Sequence, residues 1–399
     1  MPKDQKISLG AIARALEYGD FVFYYQPVLS LDKGKLCGAE ALIRWQRIDG
    51  SLVPASKFIP LAEKTGFITE ITQAMLPKVL ADMATIHQMD PSLTIAFNVS
   101  AKDLAAPDCC KNILREIQEH KVDPHKFRLE ITESQLLPLD DHMRNTFLAF
   151  DAEGVQIAVD DFGTGYSSIA LLRDLPITAI KIDKSFINGI FDLEKSNQIV
   201  RHIIGLAHQL GLETVSEGVE TQAAFDYLLC FGSTCAQGFY ISAPLSLSNF
   251  LTFLSQDNCR WAVPPLGRIH LAQQDHIDWR RDYVREILNI VSTQDEKLKR
   301  EACERVPNLN PKECLLGKWC YGAGQEFRGK APFDQLEIEH EQLHQLADHL
   351  VRAVRAGASR EQIVESILSI NKHSGQLIEL LSELHTCIAL KYKALTPDW

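Results

Sequence analysis

The stretch Val155-Gln156-Ile157-Ala158-Val159-Asp160-Asp161 decides how this chain is read, because a short apolar run ends abruptly on two adjacent carboxylates. A run that is apolar at nearly every position is a strand buried on both faces, as in parallel sheets covered by helices. The pattern recurs. Residues 21–31, 36–45, 93–99, 127–131, 155–159, 179–182, 213–216 and 236–241 all have strand character, and helical-period segments such as 68–86, 109–120 and 197–210 separate most of them. Asp32-Lys33-Gly34, between the first two runs, is tight-turn sequence and predicts a hairpin there. Eight strands with mostly helical crossovers predict an α/β fold, a modified (β/α)8 TIM-like barrel with one reversed strand. A doubly wound open sheet is the alternative.

The 399 residues are more than one typical domain needs. Past residue 254 the strand pattern stops. Residues 255–268 contain Pro264-Pro265 and Gly267 and read as a linker, and 269–399 show helical period only. The expected division is therefore a barrel over 1–254, the linker, and an all-α helical bundle over 269–399. A net charge of −11, from 52 acidic and 41 basic residues, argues against a partner that is a nucleic-acid polymer. No apolar run approaches the roughly 20 residues of a membrane span, and the polar N-terminus has no signal-peptide core. The ten cysteines are then expected as reduced thiols in a cytoplasmic protein.

Active sites of such barrels form at the C-terminal strand ends. At those ends stand Glu40, Asn98, Glu130, Asp160, Asp161, Lys181, Glu217 and Gln237. Any one of them alone is an ordinary solvated or capping residue; together they form a ring of oxygen ligands suited to Mg²⁺ or Mn²⁺. Asp160 and Asp161 repel one another unless cations lie close by. Two metals ~3.5–4 Å apart activate water and stabilise the displaced oxygen of a phosphodiester. The glycines of Phe162-Gly163-Thr164-Gly165-Tyr166-Ser167-Ser168 suggest a turn that closes over substrate.

These residues resemble the EAL family of cyclic di-GMP phosphodiesterases. The similarity runs through Tyr25-Gln26-Pro27, Glu40-Ala41-Leu42-Ile43-Arg44, Phe97-Asn98-Val99-Ser100, Glu130-Ile131-Thr132-Glu133, the 160–168 segment, Lys181-Ile182-Asp183, Glu217-Gly218-Val219-Glu220 and Gln237-Gly238-Phe239. The resemblance implies hydrolysis of cyclic di-GMP to linear pGpG. It implies that Glu40, Asn98, Glu130 and Asp160 hold one metal, and that Asp160 and Asp161 serve a second, with Glu217 as a ligand or base. By the same likeness Lys181 orients the attacking water, Gln237 holds the metal-water network, Glu133 anchors the glycine loop and Glu220 supports the site. Arg44 would meet a substrate phosphate, while Gln26, Leu42 and Asp183 line the nucleotide pocket. Ser216 and Ala243 depart from residues often found beside Glu217 and before Pro244. A silent cyclic di-GMP receptor or scaffold is the rival, since EAL-like domains lacking ligands still bind the nucleotide; here every ligand position is filled.

The helical region brings a second set: His276-Ile277-Asp278-Trp279, Cys314-Leu315-Leu316-Gly317-Lys318-Trp319 and His340-Glu341-Gln342-Leu343-His344. His340 and His344 share one helix face. Three imidazoles and a thiolate make a closed tetrahedral Zn²⁺ set. These motifs are similar to those of the CZB domain, the zinc-binding module of bacterial chemoreceptors, which implies one zinc on His276, Cys314, His340 and His344. His340–His344 also fits His-Glu-x-x-His, the metallopeptidase signature, but Cys314 and His276 would leave no open position. Cys320 is expected as an accessory thiol. Both families commonly dimerise, so a homodimer whose activity is modulated by zinc or by the thiolate's redox state is expected. A role in docking a signalling-protein partner is the alternative for the bundle.

Overall fold

The structure is a computed structural model and describes residues 7–136, 140–164, 168–256, 265–293 and 296–395. Its contacts divide the chain into two compact units, one of Met1–Leu229 with Ser233–Val263 and one of Cys230–Gly232 with Pro264–Trp399.

In the first unit the strands are β1 (Phe21–Ser30), β2 (Lys35–Gln46), β3 (Leu52–Pro54), β4 (Thr94–Asn98), β5 (Phe127–Thr132), β6 (Gln156–Phe162), β7 (Ala179–Ile182), β8 (Glu213–Ser216), β9 (Cys235–Ala236) and β10 (Leu245–Ser246). The sheet order is β10-β1-β9-β8-β7-β6-β5-β4-β2-β3, and an additional β1–β2 pairing closes it into a barrel. Seven strands, β2 and β4 to β9, run parallel along the wall. β1 is the reversed strand, antiparallel to β2 on one side and β9 on the other. The expected hairpin and the single inverted strand are one feature, because a four-residue link between β1 and β2 permits only antiparallel neighbours. β3 and β10 are short additions paired to β2 and β1.

The wall is apolar because helices cover it. Phe127, Ile157, Ile180 and Ile182 are fully buried, and Phe97 and Phe127 stack with centroids 6.2 Å apart. The Ile68–Met89 helix buries Ile71, Met75, Leu76, Val79, Leu80, Met83 and Ile86 at three- and four-residue spacing, the stripe that faces a helix inward.

The segment 236–241, expected as a strand, is strand only at its start. Gln237 N–H still bonds Ser216 O at 2.9 Å, but Ile241 and Ser242 N–H both turn back onto Gly238 O at 3.0 Å. A turn has taken the donors that a ladder would need. β6 in turn reaches beyond its expected end, to Phe162, with a register break between Val159 and Phe162 and Asp161 at φ +54°.

In the second unit five α-helices lie among the described residues: Leu266–Ser292, Glu296–Arg305, Leu315–Tyr321, Ala331–Arg355 and Arg360–Leu395. Tyr283, Ile287, Phe333, Leu336, Leu343, Leu377 and Leu381 form the centre of one apolar core. The first of these helices already begins at Leu266, within the segment expected as linker, and residues 257–264 of that segment lie outside the described residues.

Candidate functional site

Register sets the mouth of the barrel. Glu40 on β2 pairs across with Gln26 on β1, Asn98 with Glu130, and Thr132 with Asp160, so side chains from successive strands arrive at one level. At the centre stands Lys181, 1% exposed. Its Nζ lies 2.7 Å from Glu217 Oε1, 2.8 Å from Glu130 Oε2, 3.3 Å from Glu40 Oε2 and 3.4 Å from Asp160 Oδ1. Asn98 Nδ2 donates to Glu40 Oε1 at 2.9 Å, and Gln237 Nε2 donates to Glu40 Oε2 at 2.7 Å and to Gln26 Oε1 at 3.1 Å. Seven of the residues expected in the ring therefore share one network, and Asp161 stands beside it through Asp160.

The cluster holds five carboxylates and a single ammonium. Burial pushes Glu217 up to about 8, with Asp160 and Glu40 adding to it, and it drives Glu130 well above the usual carboxylate range. Burial, Asp160 and Asp183 raise Asp161 to about 6. Glu40 goes the other way: burial would raise it, but the Lys181 ammonium and the hydrogen bonds from Gln237 and Asn98 outweigh that penalty. For Lys181, burial is likewise outweighed by Asp160, Glu130, Glu217 and Glu40, which hold the ammonium charged. One buried cation thus leaves the cluster under-neutralised, and further positive charge is what these carboxylates favour. Ligand atoms of Asp160, Asp161 and Glu217 lie within 4.8 Å of one another, and Gln237 Oε1 is buried with no hydrogen-bond partner. An all-oxygen set with an orphan acceptor fits hard cations with attached water.

Around this centre the expected supporting residues divide. Glu133 is buried, and its Oε2 accepts from Gly163 N–H at 2.9 Å. Gly163 adopts φ +92°, so the contact depends on a residue without a Cβ. Residues 165–167 of the glycine loop lie outside the described residues. A cleft of about 620 Å³ is lined by the polar residues Glu40, Asn98, Asp160 and Asp161 together with the apolar Leu42, Phe23, Ile59, Pro60 and Met75. Gln26 Nε2 donates to Ser242 O at 3.3 Å, Asp183 caps the Lys184–Asn188 helix, and half-buried Arg44 donates to Ile43 O at 3.0 Å. Glu220 is exposed, outside the buried Lys181 network.

The second constellation forms within the helical unit. Cys314 Sγ lies 3.2 Å from His340 Nε2, and ligand atoms of Cys314, His340 and His344 lie within 4.8 Å of one another. His276, the fourth expected ligand, lies outside that close group of three; it is buried, with its Nε2 2.8 Å from Ser374 Oγ. Its Nδ1 is then the ring nitrogen not engaged by Ser374, just as His344, whose Nδ1 lies 2.9 Å from Leu309 O, keeps Nε2 free for a metal. His340 Nδ1 is buried without a partner. Burial lowers all three imidazoles, His276 and His340 to about 3 and His344 to about 4, so they stand neutral, as ligands must. Cys314 caps the Leu315–Tyr321 helix and accepts from Gly317 N–H at 3.2 Å, although burial still pushes its thiol up to about 11. A Cβ on Gly317 would sit 1.7 Å from Pro311 O, so the Cys-x-x-Gly spacing is steric: only glycine lets that amide approach the sulfur. Three nitrogens and one sulfur suit zinc. Trp279 also packs on the site, its ring 4.6 Å from that of His344. Cys320 is fully buried.

Sequence reasoning missed Ser374 and the Leu309 carbonyl, which orient two imidazoles. Neither carries a signal, since a serine in a long helix and a backbone carbonyl look ordinary until the helices pack.

Comparison with known proteins agrees with this geometry. The family model described as EAL domain matches residues 10–244, and the one described as Chemoreceptor zinc-binding domain matches 276–351. Cyclic di-GMP phosphodiesterase PdeL of Escherichia coli is 36% identical over 244 residues, 61% of this chain and 67% of that protein. Cyclic di-GMP phosphodiesterase PA2567 of Pseudomonas aeruginosa is 37% identical over 225 residues, 56% of this chain and 38% of that one. The chain spans about a third of the length of several curated relatives it matches (30%, 36% and 38%). The solved PaMucR phosphodiesterase–c-di-GMP complex superposes with a TM-score of 0.58 at 34% identity, covering 61% of this chain and 98% of that one. Among the described residues no helix is long and apolar enough to cross a membrane. The barrel, its reversed strand, its motif order and these matches agree: the chain belongs to the EAL domain family and carries a chemoreceptor zinc-binding segment in its helical unit.

Proposed function

We propose that the protein hydrolyses cyclic di-GMP to linear pGpG in the barrel and that zinc in the helical unit modulates this activity. One observation carries the first part: Lys181 is gripped by four carboxylates, three delivered by β2, β5 and β6 and the fourth by the residue just after β8, at the barrel mouth. A catalytically silent receptor has no need of that arrangement. Glu40, Asn98, Glu130, Asp160, Asp161 and Glu217 would hold two Mg²⁺ or Mn²⁺ ions. Bound there, the cations supply Lewis acidity and lower the pKa of a water. Lys181 orients the attacking water and offsets the charge building on the phosphate, Glu217 accepts its proton, and Gln237 fixes the water network through its free Oε1. Water adds to one phosphorus and the ribose 3′ oxygen leaves. Glu133 holds the loop at Gly163, Glu220 supports it from outside, Arg44 meets a phosphate, and Gln26, Leu42 and Asp183 shape the nucleotide pocket.

In the second unit His276, Cys314, His340 and His344 would close a tetrahedral zinc site. Zinc modulates turnover only if it prefers one of two arrangements of the protein. We place the protein in the cytoplasm, as a homodimer, with the functional division falling between 1–254 and 269–399.

The test is purified protein with cyclic di-GMP and Mg²⁺, followed chromatographically. Release of pGpG, lost in Glu40→Ala, is the expected result. Turnover no higher than in that variant, with binding retained, would leave the receptor. Zinc titration of the parent and of Cys314→Ala separates regulation from displacement of Mg²⁺ at the barrel, because only regulation depends on the thiol.

A further inference from the structure

Two thiols meet at the floor of the barrel, at the end of the wall away from the carboxylates. Cys37 stands near the start of β2, and Cys235 opens β9. Their strands are not neighbours, since β1 runs between them. Yet the sulfurs lie 3.5 Å apart. A bulge brings them together. Val28 pairs with Gly38 and the next residue, Leu29, pairs with Leu36, so Cys37 is the extra residue without a partner on β1. A bulge residue escapes the strand's alternation and is re-aimed. Here it turns Cys37 onto Val28, Val215 and Cys235, a small apolar cluster, with its Sγ 3.4 Å from Val28 O. Cys37 is half-buried, whereas Cys235 is 4% exposed. One thiol of the pair is therefore reachable and the other is held behind it.

We propose that Cys37 and Cys235 form a redox-modification site that closes to a disulfide when a peroxide-class oxidant reaches the barrel floor. The Cys37 thiolate attacks one peroxide oxygen, breaking the O–O bond and leaving a sulfenic acid and one water after protonation. Cys235 sulfur then displaces the hydroxyl, its thiol proton leaving with that oxygen as a second water. Two thiols lose two electrons and two protons in all, and the peroxide takes them. The sulfurs must close from 3.5 Å to about 2.05 Å, and the bulge is where β2 yields most readily. The bond would tie β2 three residues before Glu40 to β9 two residues before Gln237, the pair whose side chains meet at 2.7 Å in the catalytic network. It would also cross-link residues 198 apart, which restricts the unfolded chain.

The full chain, in a Cys314→Ser background to remove the thiol of the proposed zinc site, is exposed to hydrogen peroxide and digested without reduction. Mass spectrometry should find the Cys37 and Cys235 peptides joined, lighter by two hydrogens and separated by dithiothreitol, and the thermal midpoint should rise by a few degrees. With Cys235→Ala, Cys37 should be trapped by dimedone as sulfenic acid, with no cross-link. Independent alkylation of both thiols after oxidation, or Cys37 joined to another cysteine, would overturn the proposal. Because the mapping reads a covalent bond, it stands whether or not the barrel hydrolyses cyclic di-GMP.

Discussion

The two metal-ligand constellations solve opposite electrostatic problems. At the barrel mouth, charge is abundant: five carboxylates crowd together, and the protein carries its own buried cation, Lys181, among four of them. In the helical unit the ligand groups themselves are uncharged: three imidazoles are held neutral by burial, and burial also keeps the Cys314 thiol protonated. The first site is held together by an internal countercharge, the second by packing and by hydrogen bonds with Ser374, Leu309 O and Gly317 N–H. A hard-cation site of like charges has to be restrained before the metals arrive. A closed site of neutral donors costs less to assemble and titrates only when metal or acid demands it.

This contrast can be broken most severely at the mouth. Glu40→Ala removes the acceptor shared by Asn98, Gln237 and Lys181, and turnover should fall about 10²-fold or more, read as pGpG released per minute. Lys181→Met strips the cluster of its only ammonium. The metal-free protein should lose roughly 3–5 kcal/mol of stability to denaturant, and saturating Mn²⁺ should restore part of it. Equal stability with and without the lysine would show that its charge is not what restrains the carboxylates.

The helical unit should respond to acid instead. Free histidine titrates near 6.5, while His276 and His340 are lowered to about 3 and His344 to about 4 in the folded chain. Below about pH 6.5 the unfolded chain takes up protons that the folded chain refuses. Stability of the chelated protein should therefore fall below about pH 6.5, down to about pH 4 for His344 and about pH 3 for His276 and His340, by roughly 1.4 kcal/mol per pH unit for each imidazole. Thermal melts in chelator at about pH 7.5 and about pH 5.5 check this, and zinc should oppose the loss. Matching midpoints would mean the imidazoles are not buried neutral.

Two smaller effects sharpen the comparison. Gly317→Ala forces a methyl against Pro311 O and pushes Cys314 from its amide donor, so zinc affinity should drop about 10–100-fold with the barrel untouched, measured by chelator competition. Glu133→Gln keeps an acceptor for Gly163 N–H but loses its charge, about 1 kcal/mol, and should lower turnover only several-fold.

Much of the site was legible because barrel strands run out toward one face, although Glu40 stands mid-strand, not at a strand end, since β2 continues to Gln46. Glu40, Glu130 and Asp160 each follow an apolar run, so a closed barrel must bring them together. The last strand was not legible: 236–241 has strand composition, but the backbone donors of Ile241 and Ser242 go to Gly238 O. The zinc residues were found by motif, while Ser374 and Leu309 O were not, because their role depends on which helix packs against which.

Taken by itself, the sequence determined the barrel, its inverted strand and the chemical type of both ligand sets, since apolar period and residue chemistry are local properties. Only the tertiary structure decided that Lys181 sits among four carboxylates, that His276 leans on Ser374, and that a bulge turns Cys37 toward Cys235. Those partners are 36, 98 and 198 residues apart, and nothing short of barrel closure and helix packing fixes which distant side chain a buried group will meet.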